Sequence, residues 1–140
     1  RELKVRFILD EDSQLNSLPK HLEKSLFVSI IGNLVTNAFE AVEQLDESER
    51  IVRLLITDNG NEILLEVEDS GEGLSPVIQE FIFKSRVSTK GGQDRGYGLM
   101  KISSDINDLS GVSSIEKGDL GGALFIISIP KGGFLHGGSH

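Results

Sequence analysis

The sequence predicts an α+β domain, a two-layer α/β sandwich in which a mixed, mostly antiparallel sheet carries its helices on one face. Three observations carry that prediction. Period-two alternation of apolar and polar residues recurs in five short runs, and each is bounded by turn-forming residues. A long helical pattern with a broad apolar arc separates the first run from the second, and a shorter one precedes the last two. The resulting order of strand, helix, hairpin, glycine-rich segment, helix, hairpin brings both helices to the same side of one sheet.

The chain has 140 residues, enough for one domain with a real core. Its formal net charge of −8 argues against a broad nucleic-acid surface, because phosphate contacts dominate that kind of binding. A local basic pocket for one nucleotide is still allowed. Without cysteine there are no disulfides, no thiolate zinc sites and no cysteine nucleophile. No apolar run approaches a membrane span and no signal peptide precedes the first strand. The abrupt start at Arg1 reads as a piece of something longer.

Leu3, Val5, Phe7 and Leu9 alternate with Lys4 and Arg6 as a half-buried strand over 3–9. The polar stretch from Asp10 to Ser17 is a connection, with a short second strand around Gln14–Leu15. Pro19 suits a first helical turn, where its missing N–H costs nothing, and predicts a helix running to about Leu45. Phe27, Ile30, Ile31, Leu34, Val35, Ala38, Ala41, Val42 and Leu45 form its apolar arc, with Ser25, Ser29, Thr36 and Glu43 opposite. An acidic break over 46–49 leads into a strand over 51–57. Asp58-Asn59-Gly60-Asn61 is a hairpin turn, because Asn and Gly accept positive φ. The partner strand, 62–68, points Ile63, Leu65 and Val67 one way and Glu62, Leu64, Glu66 and Glu68 the other. Residues 69–98 are glycine-rich, have a short helix around 76–83, and read as a functional lid. A helix from Tyr97 to Ser110 follows, with Leu99, Ile102, Ile106 and Leu109 on one side and Gly111 ending it. Strands at 112–117 and 123–129 close the domain around Gly118-Asp119-Leu120-Gly121-Gly122.

Three motifs carry chemistry. Asn33 and Asn37 are four apart, on one side of the first helix and about 40° from each other. Amides at the edge of an apolar stripe need partners. Backbone groups are the ordinary ones, but amide oxygens also suit Mg²⁺, which prefers oxygen ligands and is commonly shared with nucleotide phosphates. Asp69-Ser70-Gly71-Glu72-Gly73 directly follows a strand. An aspartate held there by a glycine turn can accept a hydrogen bond from an exocyclic amine such as that of adenine, although Asp-x-Gly also makes plain turns. Gly96-Tyr97-Gly98-Leu99 opens the second helix after Lys90 and Arg95. Helix N-termini attract phosphate, while the bland alternative is a glycine loop with solvated charges. It is not a Walker loop, and no strand precedes it as a Rossmann fingerprint requires.

Taken in order, Asn33-x-x-x-Asn37-Ala38, Asp69-x-Gly71-x-Gly73, Phe83 with Ser88-Thr89-Lys90, Gly96-x-Gly98-Leu99 and Gly121-Gly122-Ala123-x-Phe125 resemble the N, G1, F, G2 and G3 boxes of sensor histidine kinases. The resemblance covers about residues 3–130, and its specificity lies in five motifs occurring in order. Residues 83–91 are most similar to the citrate- and dicarboxylate-sensing branch. The resemblance implies the catalytic and ATP-binding domain of such a kinase and the Bergerat ATP-binding fold, shared with gyrase, the MutL mismatch-repair proteins and heat-shock chaperones. Residues 1–130 would be that domain, with an ATP lid at about 74–95, and 131–140 a flexible tail or cloning remnant.

The resemblance also implies roles. Asn37 would be a Mg²⁺ ligand bridging the triphosphate, with Asn33 supporting it or the phosphates. Asp69 would bind the adenine amine, and Gly71 and Gly73 would line the base pocket. Lys90 and the Gly96–Gly98 amides would hold phosphates, with Leu99 in the same box and Thr89 touching phosphate. Phe83 would anchor the lid, and Asn33, Asn37 and Lys90 would be the catalytic set. Two departures stand out. Ala123 replaces the usual threonine of the third glycine box and loses its hydroxyl, and Arg86-Val87 stands where a second lid aromatic is frequent.

The implied reaction moves the γ-phosphoryl group of ATP to a histidine on a separate dimerisation domain. His21 reads as a surface residue at the start of the long helix, and His136 and His140 fall in the tail, so no phosphoacceptor is expected here. The implied partners are that histidine phosphotransfer domain and a response regulator, with no nucleic acid and no membrane contact by this segment. A cytoplasmic position, in a parent anchored in the bacterial inner membrane, follows from the same resemblance. Two alternatives are an ATP-hydrolysing relative and a non-catalytic nucleotide-binding docking module. The hydrolysing relatives carry a glutamate where Asn33 stands, and an asparagine is a poor general base at neutral pH.

Overall fold

The computed structural model describes residues 4–72 and 93–132, with the side chains of 93–100 outside that description. The elements follow the predicted order: β1 (Arg6–Leu9), α1 (Lys24–Val42), a 3-10 turn at Glu47–Glu49, β2 (Ile51–Asp58), β3 (Glu62–Asp69), α2 (Gln93–Asp108), β4 (Val112–Lys117) and β5 (Ala123–Pro130). The five strands form one sheet in the order β1-β2-β3-β5-β4. β1 runs parallel to β2 and the other pairings are antiparallel. α1 packs on β2 and β3, and α2 packs on α1 and β4. Residues 73–92, which hold most of the expected lid and all of the short helix expected around 76–83, lie outside the described residues, while the last expected lid residues, 93–95, are already part of α2.

The core is the covered face of the sheet. Register aligns Leu54 with Val67 and Phe125, and Ile63 with Ile129, so the inward residues of three strands meet in rows. Against them α1 buries Phe27, Ile30, Leu34, Ala38 and Val42, and α2 adds Ile102 and Ile106. These are the residues the helical and strand periodicities place inward.

α1 begins at Lys24 and not at Pro19. Pro19 instead starts a tight turn, with the Leu22 amide donating to the Pro19 carbonyl at 3.0 Å. Glu23 caps the helix in an extended conformation. Leu22 and Phe27 flank that cap and are both buried in the core, the arrangement of a hydrophobic staple that fixes the entry angle of the chain. At the other end no basic residue lies in the last turn. Arg50 supplies the missing cation from outside the helix. Its Nε donates to the Leu45 carbonyl at 2.9 Å and its guanidinium to the Glu43 carbonyl at 3.1 Å. Carbonyls left over at a helix C-terminus are thereby satisfied.

The β2–β3 turn forms as its residues dictate. Gly60 takes φ +91, and the Asn59 side chain accepts the amides of Asn61 and Glu62 at 2.8 and 2.9 Å. At the end of α2, Ser110 adopts the left-handed conformation at φ 62, and the Gly111 amide donates back to the Ile106 carbonyl at 2.8 Å. Gly111 is needed there for space: a methyl group on it would lie 2.6 Å from the Ser128 carbonyl oxygen.

Several expectations change. β1 is a short edge strand, and Phe7 and Leu9 are more exposed than a half-buried strand implies, although Phe7 meets Phe39 of α1 edge-to-face at 6.2 Å. Gln14–Leu15 is not a strand. Its backbone still follows β2, with the amides of Asp10 and Gln14 donating to Leu54 and Ile56. α1 is, contrary to the expectation from sequence, long and apolar enough by composition to match a membrane span: its 19 residues include an 18-residue window with a mean hydropathy of 1.4. That hydropathy is explained by the side chains it buries against the sheet. Lys131, assigned to the tail, belongs to the fold. Its ammonium donates to both carboxylate oxygens of Asp58, at 3.1 and 2.8 Å, and to Ser17 Oγ at 3.3 Å.

Asp58 ties the N-terminal connection, the hairpin and the end of β5 together. It also accepts the amides of Gly60 and Asn16, both at 2.9 Å. Lys131 first, then those amides, hold its carboxyl well below the usual carboxylate range. The folded state therefore binds that proton less readily than the unfolded chain. The stabilisation is complete at neutral pH and is lost as pH falls below about 4 toward the folded value. Thermal midpoints measured across that range should fall for the parent. Asp58→Asn, less stable at neutral pH, should lose less on acidification, and parallel curves would refute the role.

Candidate functional site

The site is built where the C-terminal half of α1 meets the end of β3. Asn33, Asn37 and Ala41 lie four apart along one row of α1, about 6 Å per step. Asn33 is half-buried and Asn37 is buried. The row ends against Gly71, where a methyl group would sit 2.5 Å from the Ala41 carbonyl oxygen. Helix and glycine loop are therefore in backbone contact, and Asn37 stands one turn from that contact. Only glycine allows this approach. Glu40, one residue before Ala41, is exposed.

Asp69 is the last residue of β3 and is 1% exposed. Its Oδ1 accepts the Gly71 amide at 2.8 Å and the Ala123 amide at 3.4 Å. A buried carboxylate is tolerated only with such partners. Gly122 presses on the same group from the β4–β5 turn: a methyl group there would fall 2.2 Å from Oδ1 and 2.7 Å from the Gly71 nitrogen. Ser70 anchors the loop from behind. Its hydroxyl donates to the Glu49 carbonyl at 2.6 Å and accepts the Ile51 amide at 2.8 Å. A carboxylate oriented in this way, beside a helix row of amides, can read a hydrogen-bond donor on a ligand. Among the described residues, no group of three histidine, aspartate or glutamate side chains could hold a metal ion.

α2 begins at Gln93, earlier than the start at Tyr97 that the glycine pattern suggests. Gly96 and Gly98 therefore lie inside the helix, as does Leu99. Gly73, Phe83, Thr89 and Lys90 lie outside the described residues. The structure thus brings Asp69 and Gly71 together with Ala41 of α1 and with Gly122 and Ala123 from the far hairpin; Asn37 lies one turn and Asn33 two turns from the Ala41 contact.

Two participants escape the sequence patterns. One is the Ala41 carbonyl, a backbone group with no sequence signature. The other is Glu68, which strand alternation assigns to an open outer face. Glu68 is 1% exposed because the Gly118–Gly122 turn folds over it. The only available signal was a carboxylate immediately before Asp69, and that is too weak to read.

A family profile described as histidine kinase-, DNA gyrase B-, and HSP90-like ATPase matches residues 23–133. The chain is 42% identical over 130 residues to the sensor protein CitS of Bacillus subtilis (strain 168), covering 93% of this chain and 23% of that protein. It is 40% identical over 133 residues to the sensor histidine kinase DpiB of Escherichia coli (strain K12), covering 94% of this chain and 24% of that one. It therefore spans less than a quarter of the length of these relatives. Among solved structures, the catalytic domain of histidine kinase ThkA shares the fold, with a TM-score of 0.67 and 24% identity over 92% of this chain and 81% of that one.

The packing around Asp69 leaves no room for a side chain at Gly122. Gly122→Ala should cost about 1–3 kcal/mol in urea unfolding, as overpacking of a tight site does. A change under about 0.5 kcal/mol would show that the turn is free to move away.

Proposed function

This chain belongs to the family of histidine kinase-, DNA gyrase B- and HSP90-like ATPases, and on that premise we propose that it is the ATP-binding catalytic domain of a two-component sensor kinase that phosphorylates a histidine on a separate helical dimerisation domain. The observation that carries the proposal is the Asn33–Asn37–Ala41 row ending in backbone contact with Gly71, beside the buried, backbone-held carboxylate of Asp69. Relatives at 42% and 40% identity named as sensor proteins support the kinase reading over other branches of the family.

Asp69 accepts a hydrogen bond from the adenine amine, and Gly71 and Gly73 let the base lie against backbone. Asn37, with Asn33 behind it, offers amide oxygen to Mg²⁺. When bound, Mg²⁺ neutralises charge on the phosphates. Lys90 and the glycine box at Gly96–Gly98 hold phosphate, with Thr89 contributing and Phe83 anchoring the lid. Catalysis by this chain is positioning and charge stabilisation. Asn33 favours transfer over hydrolysis, since an amide cannot take a proton from water at neutral pH. The acceptor histidine, the response regulator and the inner-membrane anchor of the parent, with this domain in the cytoplasm, all belong to the same proposal.

Two measurements test it. Radiolabelled ATP, mixed with this chain and a separately produced histidine-bearing helical domain, should label that histidine. Rapid phosphate release without an acceptor would indicate an ATPase instead. Asn37→Ala should weaken binding of a non-hydrolysable ATP analogue about tenfold or more when Mg²⁺ is present, the scale of a lost interaction with a charged group. Without Mg²⁺, parent and variant should differ little. Equal affinities with Mg²⁺ present would remove the metal role.

A further inference from the structure

Glu68 and Asp69 are consecutive on β3 and so point to opposite faces of the sheet. Both are 1% exposed, and both are in contact with one short segment, the turn joining β4 to β5. On the inner face, Asp69 Oδ1 takes the Ala123 amide at 3.4 Å, and Gly122 packs against it. On the outer face, Glu68 Oε2 takes the Leu120 amide at 2.8 Å. Gly118 lies so close to Glu68 that a methyl group on it would fall 2.5 Å from Oε2 and 2.8 Å from Cγ. The other oxygen, Oε1, is paired with the Arg53 guanidinium from β2, and Arg53 reaches on to Asp10 Oδ2 at 3.9 Å.

The turn itself is tight. The Gly118 amide donates to the Gly122 carbonyl at 2.9 Å and the Gly121 amide to the Gly118 carbonyl at 3.2 Å, with Gly121 at φ +103. Gly118 and Gly122 are thus hydrogen-bonded ends of one unit. A displacement of the Glu68 end carries the Asp69 end with it.

We propose that Glu68 is a positioning residue for base recognition: from the outer face it locks the Gly118–Gly122 turn, whose inner end sets the Asp69 carboxylate that reads the exocyclic amine. This rests on the assignment of Asp69 to the adenine amine. Glu68 does not touch the ligand; it acts through Leu120, Gly118 and Gly122. Burial supports the assignment. A carboxylate removed from water and given one backbone amide and one guanidinium is costly to keep there unless its partners stay fixed. Ala123 makes the outer clamp more important, since it has no hydroxyl with which the turn could hold Asp69 by a side-chain hydrogen bond.

The readout is the ratio of affinities for ATP and ITP, measured by calorimetry with Mg²⁺ at a temperature where circular dichroism shows each protein folded. ITP replaces the amine with a carbonyl, so the ratio reports the Asp69 contact and is insensitive to uniform loosening of the site. The parent should prefer ATP by about tenfold or more. Asp69→Asn should abolish that preference. Glu68→Ala should reduce it at least threefold, and Glu68→Gln, which keeps an acceptor for the Leu120 amide, should restore most of it. If Glu68→Ala does not fold, Gly118→Ala takes its place: its methyl group displaces the turn from Glu68 and should lower the ratio likewise. Weaker binding of both nucleotides at an unchanged ratio would overturn the positioning role while leaving the Asp69 assignment intact. A ratio unaffected by Asp69→Asn would overturn the base assignment and the inference with it.

Discussion

A carboxylate buried at the end of the central strand constrains everything around it. Asp69 is closed off from water, so it must be held by groups that cannot move away, and those groups are backbone amides. Backbone amides can reach it only if the chain approaches without side chains. This accounts for Gly71 and Gly122: a methyl group on Gly71 would collide with Ala41, and one on Gly122 with Asp69 and the Gly71 nitrogen. One buried charge thus fixes the identity of two residues on two different hairpins and the distance at which α1 may pass.

The supports of that group are distributed over the whole fold. α1 must end at the right height for Ala41 to meet Gly71, and Arg50 sets that end by binding the Glu43 and Leu45 carbonyls. Ser70 ties the loop after β3 back to Glu49 and Ile51. At the opposite edge of the molecule, Asp58 and Lys131 clasp the first connection to the last strand, so the hairpin that begins at the far end of β2 is closed as firmly as the one near the site. The candidate site is a consequence of sheet geometry: Asp69 and Gly71 lie where β3 stops, and Ala41 meets them near the end of α1.

The elements with strong local signals were legible. The apolar arc of α1 names Phe27, Ile30, Leu34, Ala38 and Val42 as buried, and they are. The β2–β3 hairpin and its glycine turn, and both strands of the last hairpin, are written in alternation and turn chemistry. The ends of helices were less legible. Pro19 is compatible with a first helical turn but does not require one, and the buried staple of Leu22 and Phe27 decides the start. The glycine box places the start of the second helix at Tyr97 because glycine is a poor helix former, yet α2 is already helical at Gln93. Lys131 has no local feature separating it from a flexible tail; its value comes from Asp58, far away in sequence.

By itself the sequence determined the order of the elements and the covered face of the sheet, and its ordered motifs pointed to the family. The first two rest on periodicity and turn chemistry, which act over a few residues and leave local marks; the family rests on the resemblance of five motifs occurring in order. Only the tertiary structure decided that Glu68 is buried, that the Ala41 carbonyl borders the site, and that the Gly118–Gly122 turn is held from both faces of β3. Those facts depend on segments distant in the chain meeting in space. Strand alternation assigns a side to Glu68 but cannot say what covers that side, because the cover is a turn some fifty residues later whose position is set by antiparallel register.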